Sequence, residues 1–181
     1  MPHSTYSRIL DILVTLERTG PIDLFKLAEQ IRGNRTDSFA IWRRVSGSSQ
    51  AAKTYCSEAA IRRLIRYSAQ LELVSIKNQR LCGLSRIGAN AIKGENFSSQ
   101  LGAQLVKFLR DHLSLPFDDL VKHINSVKPP KVPDSDTLFQ TISSKRALDI
   151  SQEEFRRLLY LLQRCDKLDA KVRKIYSLPI D

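Results

Sequence analysis

The sequence predicts a mainly α-helical protein with short β-hairpins, arranged as two copies of one structural unit. Three observations support this prediction. Apolar residues recur at spacings of three and four along most of the chain, which is the pattern of amphipathic helices. Two short apolar runs within residues 74–85 are joined by a polar turn, as in a β-hairpin. The order of elements in the first half then recurs in the second half.

Two helices are predicted at the start of the chain. The first runs from Ser4 to Thr19 and ends at a Gly-Pro pair. Asp23 is placed to cap the second, shorter helix, and Gly33 follows it where a left-handed residue is favoured. The next segment, 34–55, predicts only a short helical turn in its middle.

A third predicted helix, residues 57–73, is amphipathic and basic, with Ser57 as its candidate N-cap. At about 100° per residue, its apolar and basic residues fall on opposite sides. The apolar side holds Ile61, Leu64, Ile65, Ser68 and Leu71, and the outward side holds Arg62, Arg63, Arg66 and Gln70. The hairpin at 74–85 follows, with the segment 77–80 at its tip, and IGANAI then starts another helical turn.

The second half of the chain repeats this order. A shift of 94 residues places Ser151 on Ser57 and residues 155–159 on residues 61–65, which predicts a second basic helix at 151–167. The earlier helices match at a shift of 96 residues. Two amphipathic helices can align by chance, but several elements that match in order favour a tandem repeat.

The repeat predicts two units, residues 1–95 and 96–181. A Pro-rich stretch, 128–134, predicts an extended surface loop inside the second unit. A short hairpin is expected at 168–179, as the counterpart of the first hairpin. Because no long linker separates the two units, we expect them to pack together or to share a helix.

The charge of the chain favours a polyanionic partner. Lys and Arg number 29 against 19 Asp and Glu, a formal net charge of +10. Such an excess on a small protein points to nucleic acid first and to an anionic membrane surface second. Residues 1–97 carry 15 basic and 8 acidic residues, whereas residues 98–181 carry 14 and 11. We therefore expect the first unit to contribute more to anion binding.

Other classes of protein are disfavoured by the same sequence. The three cysteines and three histidines have no metal-ligand spacing, so neither a metal site nor a disulfide scaffold is expected. No segment approaches the roughly 18 apolar residues that span a bilayer, and no signal peptide is evident. We expect a soluble protein of a reducing compartment, cytoplasmic or nucleoid-associated, with no membrane partner. Glycine-rich phosphate loops and hydrolase motifs are missing, so no enzyme activity and no cofactor are predicted.

The order helix, helix, basic helix and two-stranded hairpin resembles the winged helix-turn-helix family, most clearly at residues 57–92. There the segment LSRIGANAI is similar to the segment that follows the wing in many bacterial and archaeal members, in which leucine is followed by serine or threonine and then by glycine. The resemblance implies that residues 57–73 form the recognition helix and that residues 77–80 form the tip of the wing. It also implies DNA binding and, for the whole chain, tandem winged-helix-like units.

The candidate nucleic-acid-binding residues lie on the basic helices, on the hairpins and beside Trp42. Few acidic residues are expected within reach of the outward sides of the two basic helices, which favours phosphate contact over a solvated surface. Trp42 with its neighbouring arginines is either a stacking patch or a local core anchor. The candidates are Arg62, Arg63, Arg66, Gln70, Lys77, Arg80, Arg43, Arg44, Arg156, Arg157, Arg164 and Lys171.

Several functions are compatible with the sequence. Binding of double-stranded DNA without catalysis is favoured, with RNA or a single strand as other nucleic-acid ligands. The alternative is a scaffold or adaptor subunit that contacts protein partners and the nucleic-acid backbone inside a larger nucleoprotein complex. The second unit is expected to bind protein or to form a homodimer more than it reads DNA. A third alternative is an all-helical subunit that lies along single-stranded nucleic acid.

Overall fold

The computed structural model describes residues 5–32, 57–93, 97–127 and 133–168. The described residues up to Phe97 belong to a first compact unit, and those from Ser98 onward belong to a second. Most of them are helical, and a three-stranded antiparallel sheet completes the first unit. The predicted class, mainly helical with a short hairpin, is therefore confirmed.

Unit 1 begins with helix α1 (Thr5–Thr19), strand β1 (Ile22–Asp23) and helix α2 (24–32). Gly20 ends α1 in the left-handed region, at φ +70°, and its N–H donates to the Leu16 carbonyl at 2.9 Å. Asp23 caps α2 as predicted, because its carboxylate accepts the Phe25 N–H at 2.9 Å. Strand β1 is an element that the sequence analysis does not predict.

The second part of unit 1 holds helix α3 (Glu58–Gln70), strands β2 (Val74–Lys77) and β3 (Leu81–Leu84), and helix α4 (Arg86–Ala91). The predicted N-cap of α3 is confirmed, since the Ser57 hydroxyl accepts the Ala60 N–H at 3.1 Å. The predicted hairpin and the helical turn after it are also present.

The predicted end of α3 at residue 73 is wrong, because the helix stops at Gln70. Glu72 has a positive φ of 57°, and its N–H donates to the Ala69 carbonyl at 2.9 Å. The Leu73 N–H then donates to the Ser68 carbonyl at 3.0 Å. This pair of bonds is a Schellman turn, which satisfies the last carbonyls of a helix and redirects the chain. Here it leads directly into β2.

The sheet of unit 1 has the strand order β1-β3-β2. Its centre is β3, which pairs antiparallel with both neighbours, so that Cys82 lies opposite Ile22 on one side and Ile76 on the other. Helix α1 packs against α3, β3 and α4. The buried core of unit 1 includes Ile9, Leu13, Leu16, Leu24, Leu27, Ile61, Ile65, Leu73 and Cys82.

Helix α4 approaches the end of α3 so closely that only glycine fits at the contact. A Cβ on Gly88 would lie 2.0 Å from the Leu73 carbonyl oxygen. Ser85 stabilises the same corner, since its hydroxyl donates to the Glu72 carbonyl at 2.6 Å and accepts the Gly88 N–H at 2.8 Å. The serine and the glycine of LSRIGANAI therefore have a packing role here.

Unit 2, as far as the structure describes it, contains helices α5 (Phe97–Leu113), α6 (Phe117–Asn125), α7 (Ser135–Ser143) and α8 (Gln152–Arg164). The predicted helix 151–167 is thus shorter, with Ser151 as its N-cap and Cys165 as its C-cap. Helix α7 packs against both α6 and α8. The buried core of this unit includes Leu101, Leu105, Leu109, Leu120, Leu138, Ile142, Phe155, Leu158 and Leu162.

Helices α3 and α8 have the same ends as well as the same length of 13 residues. Each begins after a serine cap, and that of α8 is a reciprocal capping box between Ser151 and Glu154. At the end of α8, Asp166 has φ 53° and the Lys167 N–H donates to the Leu162 carbonyl at 2.9 Å. The end of α3 has the same Schellman turn at positions 94 residues earlier. The two helices are therefore built from one local pattern.

Two predicted segments, the helical turn within 34–55 and nearly all of the hairpin at 168–179, lie outside the described residues. Within the described ranges, the helices are too short or too polar to cross a bilayer.

Candidate nucleic-acid interface

The two sides of α3 differ in burial in the way the sequence predicts. Ala60, Ile61, Leu64, Ile65 and Ser68 are buried. Arg63, Arg66 and Gln70 are exposed, and Arg62 is half-buried. The buried Ser68 hydroxyl is satisfied, because it donates to the Leu64 carbonyl at 2.9 Å. The basic side chains are therefore carried by a helix whose other side is anchored in the core of unit 1.

Arg62 contacts both a carboxylate and an aromatic ring. Its guanidinium forms an ion pair with Glu58, one turn earlier on α3. Its guanidinium carbon also lies 4.8 Å from the centroid of the Phe25 ring, within the range of a cation–π contact. The expectation that few acidic residues lie within reach of this side of α3 is wrong for Arg62. The spacing Glu58 to Arg62 is a helical i,i+4 pair that the sequence already contains.

Arg80 reaches the same aromatic ring from the β2–β3 turn. Its guanidinium carbon lies 5.6 Å from the Phe25 centroid, and its Nε donates to Oδ2 of Asp23. The backbone of Arg80 is held as well, because its carbonyl accepts the Leu24 N–H at 2.8 Å. The Arg80 side chain is 69% exposed. A residue of the turn is thereby joined to the start of α2.

Asp23 connects β1, α2 and the hairpin through one carboxylate. Oδ1 accepts the N–H groups of Phe25 and Lys26 at 2.9 and 3.4 Å, while Oδ2 accepts from Arg80. Desolvation acts to raise the pKa of Asp23, but these hydrogen bonds and the charge of Arg80 outweigh it and lower the pKa below its usual value. Asp23 is therefore ionised at neutral pH and neutralises part of the positive charge of the turn.

Phe25 is the functional candidate that the sequence analysis misses. It is 47% exposed, although it is a large apolar residue. The sequence does contain a signal for this exposure. Leu24, Leu27 and Ile31 form the buried stripe of α2, and Phe25 lies off that stripe. The exposed ring of Phe25 is contacted by both Arg62 and Arg80.

Lys77 and Arg80, predicted together as the hairpin tip, have different surroundings. The turn between the strands has Asn78 at φ 50° and Gln79 at φ 59°, and the Arg80 N–H donates to the Lys77 carbonyl at 3.1 Å. Lys77 is the last residue of β2 and is exposed. It lines a groove of about 320 Å³ that Leu81, itself 44% exposed, also lines.

In unit 2, the two arginines at the equivalent positions are engaged with acidic side chains. Arg156 donates to Asp136 of α7 at 2.7 Å, and Arg157 pairs with Glu153 one turn earlier on α8. These two arginine side chains are 28% and 21% exposed. The expected scarcity of acidic partners is therefore wrong in unit 2 as well. Arg164 is exposed near the end of α8.

Three of the sequence-predicted residues, Arg43, Arg44 and Lys171, lie outside the described part of the chain, as does Trp42. His112 is exposed and stacks on Phe108, with ring centroids 4.9 Å apart. Within the described ranges, no three His, Cys, Asp or Glu side chains are grouped so that they could hold a metal ion.

Comparison of the chain with protein-family models, with curated proteins and with solved structures finds no match.

Proposed function

We propose that this chain is a non-enzymatic protein that binds double-stranded DNA, chiefly through unit 1. The interface is the outward side of α3 together with the β2–β3 turn. The observation that carries the proposal is the convergence of Arg62 from α3 and Arg80 from the turn on the exposed ring of Phe25. The basic helix, the turn that follows it and a phenylalanine from α2 thereby contribute to one surface.

The order of elements in unit 1 supports a winged-helix interpretation of this surface. Helices α1, α2 and α3 followed by the β2–β3 hairpin have the order of the family that the sequence resembles. In that interpretation α3 is the recognition helix and the turn is the tip of the wing. The shared ends of α3 and α8 support extending the interpretation to unit 2 as a second, diverged copy.

The shape of α3 suits a duplex. Its 13 residues extend about 20 Å at 1.5 Å per residue, and the major groove, about 12 Å wide, admits one α-helix. Arg66 and Gln70 lie one turn apart on the exposed side, and both residue types can reach base edges or phosphates. Arg63 lies on the same side. Phosphate contacts from Arg62 and Arg80 would fix the register of the helix.

A specific observation favours a different role for unit 2. Arg156 and Arg157 are half-buried and engaged with Asp136 and Glu153, whereas Arg63 and Arg66 of α3 are exposed, so α8 presents less positive charge to solvent than α3 does. This supports the alternative in which unit 2 binds a protein partner or a second copy of the chain. The protein would then be an adaptor that holds DNA with unit 1.

The test is the salt dependence of binding to a short duplex, measured by fluorescence anisotropy. If the interface makes roughly five to eight phosphate contacts, log K should fall with log salt at a slope of about −4.5 to −7. A single strand and an RNA duplex of the same sequence serve as comparisons and should bind more weakly. Absence of binding at low salt, or binding that does not change with salt, contradicts the proposal.

A further inference from the structure

The cluster of Phe25, Arg62 and Arg80 in unit 1 holds two cations close together on an exposed surface. The two guanidinium carbons lie 4.8 and 5.6 Å from one ring centroid, so they are at most about 10 Å apart, the sum of the two distances. They come from α3 and from the β2–β3 turn, which the ring joins. Both side chains remain accessible to solvent, at 28% and 69% exposure.

Each of these cations already has one carboxylate partner. Glu58 pairs with Arg62, and Asp23 pairs with Arg80. The cluster therefore carries two positive and two negative charges and is close to neutral in the free protein. A carboxylate offers a guanidinium two acceptor oxygens, and a phosphate group offers the same arrangement.

We propose that Asp23 and Glu58 bind, in the free protein, guanidinium N–H groups of Arg80 (Nε) and Arg62 (Nη1) that nucleic-acid phosphates bind in the complex. The ligand is a stretch of sugar-phosphate backbone, and the two carboxylates limit its affinity. This inference rests on the proposed function of unit 1 and adds a regulatory pair of residues to it.

The exchange of partners is energetically accessible. The side chains of the two ion pairs are partly accessible, at 24–69% exposure, and water and salt weaken such pairs, so releasing Asp23 or Glu58 opposes binding by only a few-fold. Phe25 keeps its contacts with both arginines throughout, which holds the guanidiniums on the surface while their partners change.

Two substitutions remove the negative charges with little change of shape. Asn at position 23 retains an oxygen that can cap α2, and Asn is as good an N-cap as Asp. Glu58→Gln removes the charge one turn before Arg62. Each variant should bind a duplex about 3- to 10-fold more tightly at 0.1 M salt, with a log–log slope steeper by about 0.9 for each additional phosphate that is neutralised. Glu153→Gln is the matched control, because Glu153 forms the same i,i+4 pair with Arg157 on α8. It should change affinity by less than twofold.

A double-substitution cycle separates partner exchange from a general change in charge. Arg80→Ala should abolish the increase in affinity from Asp23→Asn, and Arg62→Ala should abolish the increase from Glu58→Gln, because no guanidinium then remains to be released. Thermal unfolding of each variant, followed by circular dichroism, checks that unit 1 is intact.

The outcomes distinguish this inference from the proposed function. Increases in affinity that need the arginines support the inference. If the wild-type chain binds the duplex but neither variant binds more tightly, or if the increases persist without the arginines, the inference is overturned and the proposed function stands. If neither wild type nor variants bind the duplex, the proposed function fails and the inference fails with it.

Discussion

Arg66 and Gln70 are both exposed and lie one turn apart on α3, so in the proposed complex they are the residues of that helix best placed to distinguish one base pair from another. An arginine can bind O6 and N7 of guanine with two parallel hydrogen bonds, which a lysine ammonium cannot reproduce. Sequence preference would separate a protein that reads DNA from an adaptor that follows only the phosphate backbone.

We predict that Arg66→Lys reduces the preference for one base, commonly guanine, by about 1–3 kcal/mol. Binding to an unrelated duplex should barely change, because the positive charge is kept. The measurement compares wild type and variant on a site selected from a random duplex pool and on a scrambled site, at one salt concentration. Equal binding of both duplexes by both proteins would favour the adaptor.

The buried thiol of Cys82, on the central strand β3, is expected to make the stability of unit 1 depend on pH. Burial raises the pKa of Cys82 to about 11, with a smaller contribution from the charge of Asp23. An unfolded thiol ionises near pH 9, whereas the folded thiol stays protonated. The stabilisation is therefore complete below about pH 9 and is lost as the pH rises through about 11.

We predict that the free energy of unfolding falls between pH 9 and pH 11 by about 1–3 kcal/mol more in wild type than in Cys82→Ala. Urea titrations across this range measure the difference. The alanine variant leaves a cavity and should be less stable near neutral pH, so the informative quantity is the pH dependence alone. Parallel profiles for the two proteins would show that Cys82 contributes nothing to it.

The partners of the predicted binding residues could be found from the sequence only where they are local. Glu58 with Arg62 and Glu153 with Arg157 are i,i+4 pairs, which helical spacing reveals. Arg80 with Asp23 joins residues 57 positions apart and arises only when the hairpin packs beside α2. The same holds for Phe25, whose role depends on two side chains from other elements.

At the scale of elements, local signals predict the helices of unit 1 and its hairpin well. The cap residues Asp23 and Ser57 have the predicted role because capping is a local interaction. Strand β1 is missed because two residues carry no alternation, and its pairing with β3 is a long-range contact. The end of α3 is misjudged because Glu72 occupies a left-handed position where glycine would be the usual signal.

Gly20, at the end of α1, and Gly88, in α4, should differ in how much their substitution destabilises unit 1. We predict that Gly88→Ala destabilises unit 1 by about 3 kcal/mol, because its Cβ would overlap the Leu73 carbonyl. Gly20→Ala should cost only about 1 kcal/mol, since its Cβ has open space and only the positive φ opposes it.

Chemical denaturation of the two glycine variants measures this ranking. An equal cost for both would mean that α4 can move away from the end of α3 without loss. In that case the packing role that we assign to Ser85 and Gly88 of the motif LSRIGANAI would be wrong.

At the scale of the whole molecule, the two units differ in how exposed the arginines of their basic helix are. Arg63 and Arg66 of α3 are exposed, whereas Arg156 and Arg157 of α8 are half-buried and bind acidic residues within unit 2, as Arg62 of α3 binds Glu58. The larger positive charge of residues 1–97 is consistent with this difference.

We predict that replacing Arg62, Arg63 and Arg66 with Ala weakens duplex binding more than replacing Arg156, Arg157 and Arg164. The second set should instead lower the stability of unit 2, by about 1 kcal/mol for each ion pair removed. Anisotropy titrations and thermal unfolding of both triple variants test the two halves of the prediction. A greater loss of binding from the second set would assign the primary interface to unit 2.

The pairing of β1 with β3 also has a consequence for the order in which the chain folds. Closing the chain between Asp23 and Arg80 has an entropic cost before any contact compensates for it, whereas α3 and α8 form from neighbouring residues. The Asp23–Arg80 contact should therefore form after the folding transition state, so that its loss accelerates unfolding and leaves the refolding rate almost unchanged. The surface that joins α3 to the turn would then be the last part of unit 1 to assemble and the first to open.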